Sequence, residues 1–450
     1  MILDAINRYH DLLQDPAIAE AADAHLRQRL KEEGLYFGER PLCVVLRPHF
    51  YFEVDWRIMQ QGLEALLSAF WRAHNVCVVD AKARAQLHLE DYEERLFGMD
   101  TGGPAPWSSS RLDTFYVVED HSLKVVEYNA ETPAGLGYSD VLDQVFQELE
   151  PFKRFQDHYK IRSLPTQPHL EAALLKAYHD WGGREQPQIA ILDWSDVPTI
   201  SEHEIQCEYL LRRGIPTVLA DPRVLEYRGG HLWKGDFRID VIYKRALYSE
   251  LAQRLGFESD LLRAIQERSV FITNSPSCKL LFKKASLAFL SDEQNTHVFD
   301  DEQQQAIRDY IPWTRVVTDR MTFYDGREID LVPFIAENRE RLVLKPNDDF
   351  GGRGVVLGWE CDDTGWQEAL KNARNSPHVV QEKAPTVQRD FPMWLDGQLD
   401  VSPRYVDADP YIFGGDRVGG CLTRLSPAAL LNVTAGGGSV VPTFVIANKR

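Results

Sequence analysis

Positive charge is scarce in this chain. Lys and Arg total 50 against 68 Asp and Glu, a net charge of −18 at neutral pH. That balance excludes a general nucleic-acid binder, which needs a positive field. Cysteine is scarce too. Six residues, Cys43, Cys77, Cys207, Cys278, Cys361 and Cys421, form no C-x-x-C pair, which removes zinc and dithiol redox motifs and fits reduced, buried thiols. No apolar run approaches the roughly 20 residues of a membrane span. The opening Met-Ile-Leu-Asp soon turns polar, unlike a secretory leader, so the expectation is a cytoplasmic protein with no membrane partner. The sequon Asn432-Val433-Thr434 is then a coincidence. The phosphate-binding G-x-x-x-x-G-K-[ST] is missing, and the stretch 188–245 lacks G-x-G-x-x-G. Repeats and low-complexity tracts are absent as well. What remains is an ordinary globular composition, 44% hydrophobic and 26% charged over 450 residues, enough for two or three domains with sizeable cores.

Residues 1–33 read as helical, with Ile6, Tyr9, Leu12 and Leu13 at helical spacing. Leu42–Leu46 reads as a short strand and Trp56–His74 as an amphipathic helix. Two β-rich runs, Thr114–Val118 and Leu123–Tyr128, flank the polar turn Glu119–Ser122 and predict a hairpin. Ser139 is placed to cap a helix carrying Leu142, Val145, Phe146 and Leu149. Gln188–Trp194, a helix capped by Ser201 and ending at Gly214, Ile215–Ala220, a Gly229-Gly230 turn and Ile239–Lys244 alternate as strand and helix, which predicts a partly parallel three-layer unit. From Ser277 a helix runs to about Leu290 and another spans about Asp301–Tyr310. Then follow a strand Arg341–Lys345, a glycine loop, a strand Gly354–Gly358, a helix near 366–373 and a strand Val379–Glu382. Tyr405–Phe413, Cys421–Leu425 and Val440–Ile446 are β-rich. The chain therefore divides into 1–100, an N-terminal region; 101–165, a hairpin segment; 186–270, a Rossmann-like unit; 276–385, a lid-like unit; and 386–450, a C-terminal β segment.

Two constellations carry chemistry. Glu127 and Asn129 lie two apart on a strand, so both face one side. Across the turn, Asp113 falls opposite one or the other, with Arg111 two residues earlier on the same face. Two carboxylates and an amide oxygen suit Mg²⁺, which takes hard oxygens and shares substrate phosphates. Alone, E-x-N is better explained by a polar hairpin face. The second constellation is Lys345 at the end of an apolar strand, followed by Pro-Asn-Asp-Phe-Gly-Gly-Arg-Gly. Gly351, Gly352 and Gly354 allow a backbone anion nest, and the lysine adds a point charge. Lys279, Lys283 and Lys284 cluster on a helix whose default role is a solvated face. Arg245 ends a strand, where a guanidinium can fork a substrate carboxylate. Glu202 opens the helix capped by Ser201, where complementing its dipole is the plainer role. With Arg47, these two are the candidates for the acceptor side of a cleft.

Taken in order, Arg111-Leu-Asp113, Val126-Glu-Tyr-Asn-Ala-Glu-Thr-Pro-Ala134, Lys284-Ala-Ser-Leu-Ala-Phe-Leu290, Leu342-Val-Leu-Lys-Pro346 with Gly351-Gly-Arg-Gly354, and Val379-Val-Gln-Glu382 resemble the ATP-grasp superfamily. Gly419-Gly-Cys-Leu-Thr-Arg424 and Asn432-Val-Thr-Ala-Gly-Gly-Gly438 look like its C-terminal β segments. The resemblance, over about 40–445, is to the circularly permuted branch that includes the synthetase domain of glutathionylspermidine synthetase, because the E-x-N strand precedes Lys345 instead of following it. It implies an α/β ATP-grasp fold, permuted, with a Rossmann-like pre-ATP-grasp subdomain. It also implies an ATP- and Mg²⁺-dependent ligase joining a carboxylate to an amine through an acyl phosphate. Asp113, Glu127 and Asn129 would then hold Mg²⁺. Lys284, Lys345, Gly351 and Gly352 would serve the phosphates, and Gln381, Glu382, Lys383 and Ala384 would border adenine. Arg111 would stabilise the acyl phosphate. Glu131 stands where that branch more often has aspartate, and no segment resembles the amidase domain of its bifunctional members. Nothing specifies glutathione or polyamine as substrate. A nucleotide-binding scaffold without chemistry and a phosphotransferase using the same site are the alternatives.

Overall fold

The computed structural model describes residues 1–99, 106–349, 351–431 and 438–449. The Asn432–Gly437 part of the glycine-rich stretch, including the sequon, lies outside them.

An antiparallel sheet carries the hairpin. Ser109–Val117 and Ser122–Asn129 form its edge pair, and Asp409–Phe413, Arg417–Ser426, Gln398–Val406 and Val387–Leu395 continue it, with Ser439–Val441 on Arg417–Ser426. Residues three hundred apart thus share one sheet: Tyr411 pairs with Arg111. The 27-residue helix Glu53–Val79 buries Trp56, Met59, Leu63, Leu66, Leu67 and Phe70 on one face. This apolar stripe packs with Leu112, Val125 and Tyr128 from the hairpin in one core, the burial that holds sheet and helix together.

Four parallel strands, in the order Phe271–Thr273, Val241–Lys244, Ile189–Leu192 and Thr217–Ala220, form the Rossmann-like unit. All four residues of Ile189–Leu192 and of Val241–Lys244 are buried, as expected for a parallel sheet covered on both faces. The lid unit is a four-stranded antiparallel sheet, ordered Thr314–Val316, His378–Glu382, Leu342–Pro346 and Val356–Leu357. Leu331 and Ile335 of one helix and Trp366 and Leu370 of another pack against its Leu342, Leu344 and Val380. Near the chain's end, Thr443–Asn448 inserts between His49–Phe52, parallel, and Tyr159–Arg162, antiparallel.

Several expectations need correction. Leu42–Leu46 is not a strand; its backbone bonds singly to Leu35, Pro392 and Val440. Ser139 lies inside the helix Leu136–Glu148, whose N-cap is Gly135 at φ +98; the Ser139 hydroxyl donates back to the Gly135 carbonyl. Thr199, not Ser201, stands at the N-cap of Ile200–Arg212. Ile239–Lys244 is two strands broken at Asp240, and Tyr405–Phe413 is split where the chain turns from Gln398–Val406 into Asp409–Phe413. The helix from Ser277 is interrupted, as Lys279–Phe282 and Ala285–Ser291.

Candidate active site

The hairpin has a bulge between Asp113 and Thr114, and its register sets Asp113 opposite Glu127 and Arg111 opposite Asn129. All four side chains gather on one face, Asn129 Nδ2 donating to Asp113 Oδ1 at 2.7 Å. Arg111 grips Asp113 through Nε at 2.8 Å and Nη2 at 3.3 Å, and its Nη1 donates to the Ala134 carbonyl. One residue earlier, the Pro133 carbonyl takes the Nη1 of Arg245 at 2.6 Å. Two arginines therefore hold consecutive carbonyls of the Thr-Pro-Ala-Gly loop.

Behind Asp113 stands a group that sequence reading missed. Arg424 reaches Asp113 at 2.9 Å, Asp407 at 2.7 Å and Asp409 at 2.9 Å. Two guanidiniums thus face three carboxylates in a buried setting. Burial would push Asp113 up, but Arg111 and Arg424 outweigh it and hold the carboxyl at about 2. Asp409 goes the other way: burial, against the pull of Arg424 and with Asp113 and Asp407 beside it, drives it well above the carboxylate range. The signal available in sequence was Asp-Ala-Asp at 407–409 followed by an arginine in the next strand, at a spacing that only the hairpin Asp409–Phe413/Arg417–Ser426 makes meaningful.

The lid meets the hairpin from the other side. Lys345 donates to the Val126 carbonyl at 3.1 Å and to Gln381 Oε1 at 2.7 Å. Burial, only partly offset by Glu127 and further pressed by Lys284, lowers this ammonium to about 8. Lys284 lies 3.3 Å from Glu127 and donates to the Asp349 carbonyl. Gly351, Gly352 and Gly354 all have φ near +70, at 66, 71 and 66°, the left-handed conformation that glycine alone takes without strain. Lys279 and Lys283 are not a solvated face. Lys279 bridges Glu93, Glu131 and Asp348 at 3.1, 3.2 and 3.0 Å. Lys283 joins Glu93 and Asp348, and Lys244 reaches Glu131 at 3.4 Å. This six-charge network fastens the root of the glycine loop to the residues that follow the hairpin.

Gln381 is engaged by Lys345 and, through Nε2, by Thr314. Glu382, Lys383 and Ala384 border a cavity of about 410 Å³, together with Lys124, Trp313 and Phe323. Glu202 is fully buried, and its Oε1 takes the backbone N–H groups of Gly135 and Gly137, so it fixes the loop instead of leading a solvent-facing helix end. Arg47 stands apart from this group. It is buried in the N-terminal region, donates to the carbonyls of Pro48 and Asp390 and stacks on Phe391 at 3.8 Å. The acceptor role expected of it is not supported by this packing.

The family model for circularly permuted ATP-grasp type 2 matches residues 92–426. The chain belongs to the circularly permuted ATP-grasp family. Over 448 residues, 94% of this chain and 48% of the other, it is 24% identical to a Frankia alni protein provisionally named glutamate–cysteine ligase 2-3. It therefore spans about half the length of that relative, and 36% of a similarly named Frankia casuarinae protein that is 25% identical over 71% of this chain. An uncharacterized Mycobacterium tuberculosis protein is 22% identical, with 95% of this chain and 78% of that one covered. A glutathione synthetase-like effector from Globodera pallida shares the fold at TM-score 0.61 and 15% identity, covering 97% of this chain and 99% of that one. ATP-grasp proteins generally carry out ATP-dependent ligation of carboxylates to amines. In this permuted ATP-grasp chain, Glu127 precedes Lys345 along the sequence, yet Lys345 and Lys284 both reach the hairpin.

Proposed function

We propose that this protein is an ATP- and Mg²⁺-dependent carboxylate–amine ligase that forms an amide through an acyl phosphate. The observation that carries the reading is the convergence of the two lysines and the glycine loop on the Asp113, Glu127, Asn129 face. The donor set fits a divalent cation: two carboxylates and an amide are hard oxygens on one hairpin face, and Asn129, giving its Nδ2 to Asp113, turns its oxygen away from that carboxylate. Mg²⁺ bound there would neutralise phosphate charge. The remaining work is done by side chains of this chain. Lys284 and Lys345 hold the phosphates from the lid side, the backbone of Gly351 and Gly352 covers them, and the base enters the cavity beside Glu382–Ala384, which lies within the usual ligand-pocket range of ~300–1,000 Å³.

The substrate carboxylate attacks the γ-phosphoryl group, releasing ADP. The amine then attacks the acyl carbon, loses a proton and expels phosphate. Arg111 meets the charge that develops on the acyl phosphate, and positioning with charge neutralisation supplies the rate. The substrates proposed are small-molecule or peptide carboxylates and amines, a class that the names of the Frankia relatives support. Arg245 is the candidate to orient one of them. The proposed location is the cytoplasm.

The test is ADP release with pairs of carboxylates and amines, followed by mass detection of the amide. Glu127→Gln is expected to lower turnover at least 100-fold while the protein stays folded. ADP release with a phosphorylated product and no amide would replace ligase by phosphotransferase.

A further inference from the structure

A carboxylate offers about four acceptor positions, two on each oxygen. On Asp113 all four are filled. Oδ1 takes Arg111 Nε at 2.8 Å and Asn129 Nδ2 at 2.7 Å. Oδ2 takes Arg424 Nη2 at 2.9 Å and, at a longer 3.3 Å, Arg111 Nη2. If Asp113 ligates a cation, as the proposed function requires, one donor must first leave.

The three donors differ in what they lose. Arg111 is bidentate on Asp113, tied also to Ala134, and its side chain is only 8% exposed. Asn129 needs its amide nitrogen on Asp113 to aim its own oxygen elsewhere. Arg424 makes one bond to Asp113, and its side chain is 20% exposed against 8% for Arg111. Its Nε stays bonded to Asp407 Oδ2 at 2.7 Å, and its backbone N–H to Asp407 Oδ1 at 2.8 Å, so the guanidinium remains paired whatever Nη2 does. A second acceptor for Nη2 is already in place. Asp409 Oδ2 lies 2.9 Å from that nitrogen, yet it accepts no hydrogen bond and is buried. A small rotation of the guanidinium exchanges Asp113 for Asp409.

We propose that Arg424 gates the metal site. It holds Asp113 Oδ2 until a divalent cation claims that oxygen, and it then passes its Nη2–H to Asp409. No covalent bond changes; one hydrogen bond is exchanged for another. Asp407 is the pivot and Asp409 the receiver, so the two C-terminal carboxylates serve metal loading without being ligands.

As a competitor for Oδ2, Arg424 must weaken metal binding, and its removal must strengthen it. Loss of its positive charge beside a cation acts in the same direction, so a charge-matched pair of variants at Asp409 separates the two. The measurement is Mn²⁺ binding to the full-length protein without nucleotide, read from the free-Mn²⁺ electron paramagnetic resonance signal. R424Q is expected to bind Mn²⁺ at least threefold more tightly than the parent protein, even if its thermal midpoint falls. D409A, which removes the receiving oxygens, is expected to bind at least threefold more weakly than D409N, which makes the same change of charge but keeps an acceptor oxygen, and this pair carries the test should R424Q fail to fold. Equal or weaker binding by R424Q, or equal binding by D409A and D409N, overturns the gate. Glu127→Gln separates this from the reading it rests on: full Mn²⁺ binding by that variant removes the hairpin as the metal site and the gate with it.

Discussion

Lys345 shows how one residue's surroundings set the conditions under which the site works. Its ammonium is lowered from 10.5 to about 8, by burial first and the nearby Lys284 next, against the pull of Glu127. Below pH 8 it is charged and able to meet a phosphate; above, it is a neutral amine. ATP affinity is therefore expected to fall as pH rises past 8, by up to about tenfold per unit, until the phosphates themselves hold the proton on. Lys345→Arg keeps its charge over this range, so its titration curve should be flat. Calorimetric ATP binding between pH 7 and 9.5 checks this, and parallel curves for the two proteins would mean that another group titrates. Stability has the opposite sign. Between pH 8 and 10.5 the unfolded chain keeps a proton that the folded one has released, so this lysine favours folding more as pH rises.

At the scale of elements, the glycine loop is a short connection with a pinned root and a tip of left-handed glycines. Asp348 anchors the root to Lys279 and Lys283, and Asn347 accepts the N–H groups of Lys284 and Ala285 through its carbonyl and its Oδ1. Gly354 sits at φ +66, where an added Cβ would stand 2.7 Å from Pro346 Cγ. Gly354→Ala is expected to raise the KM for ATP about tenfold or more, matching ~1–2 kcal/mol of left-handed strain plus the contact. Its global unfolding midpoint should hardly move, because lids belong to the less stable part of a fold. Steady-state kinetics alongside thermal unfolding distinguishes this from general damage. The same segment shows what the sequence could and could not say. Strand, lysine and glycines at 342–354 were legible because each local signal agreed with the final structure. The break at Lys283–Lys284 was not, because helical spacing runs straight through it and the capturing group is Asn347, 62 residues beyond Ala285. Arg424 escaped for a similar reason: its partners Asp113 and Asp409 come from separate strands and Asp407 from the turn before the second, and no local spacing announces a buried arginine. Asp113, Glu127 and Asn129 could be read because one hairpin register decides them all.

Across the whole molecule, the chain's two ends are woven into one region. The helix Ile2–Leu12 packs in the same core as Phe50, Phe155 and Phe444, and Thr443–Asn448 lies between His49–Phe52 and Tyr159–Arg162. His49 sits in this weave with both ring nitrogens buried and without a hydrogen-bond partner. Burial first, then Arg47 and Arg389, lowers it well below 6.5. His10, on the first helix, is brought to about 4 by burial and Arg47. Both are neutral in the folded protein and protonate on unfolding, so stability falls as pH drops below 6.5. Each such histidine contributes about 1.4 kcal/mol per pH unit until its folded value is reached. The paired carboxylate Asp113, held at about 2 against an ordinary 3.8, loses its contribution only at lower pH. Raised carboxylates such as Asp409 act in the opposite direction, so the comparison has to be made between variants. His49→Phe keeps the ring volume and removes the proton site. Urea unfolding free energies at pH 7.5 and 5.0 should differ less in this variant than in the parent protein, by about 1–2 kcal/mol. An unchanged difference would show that His49 is hydrated or paired in solution, and that the junction of the two chain ends does not set the acid limit of the fold.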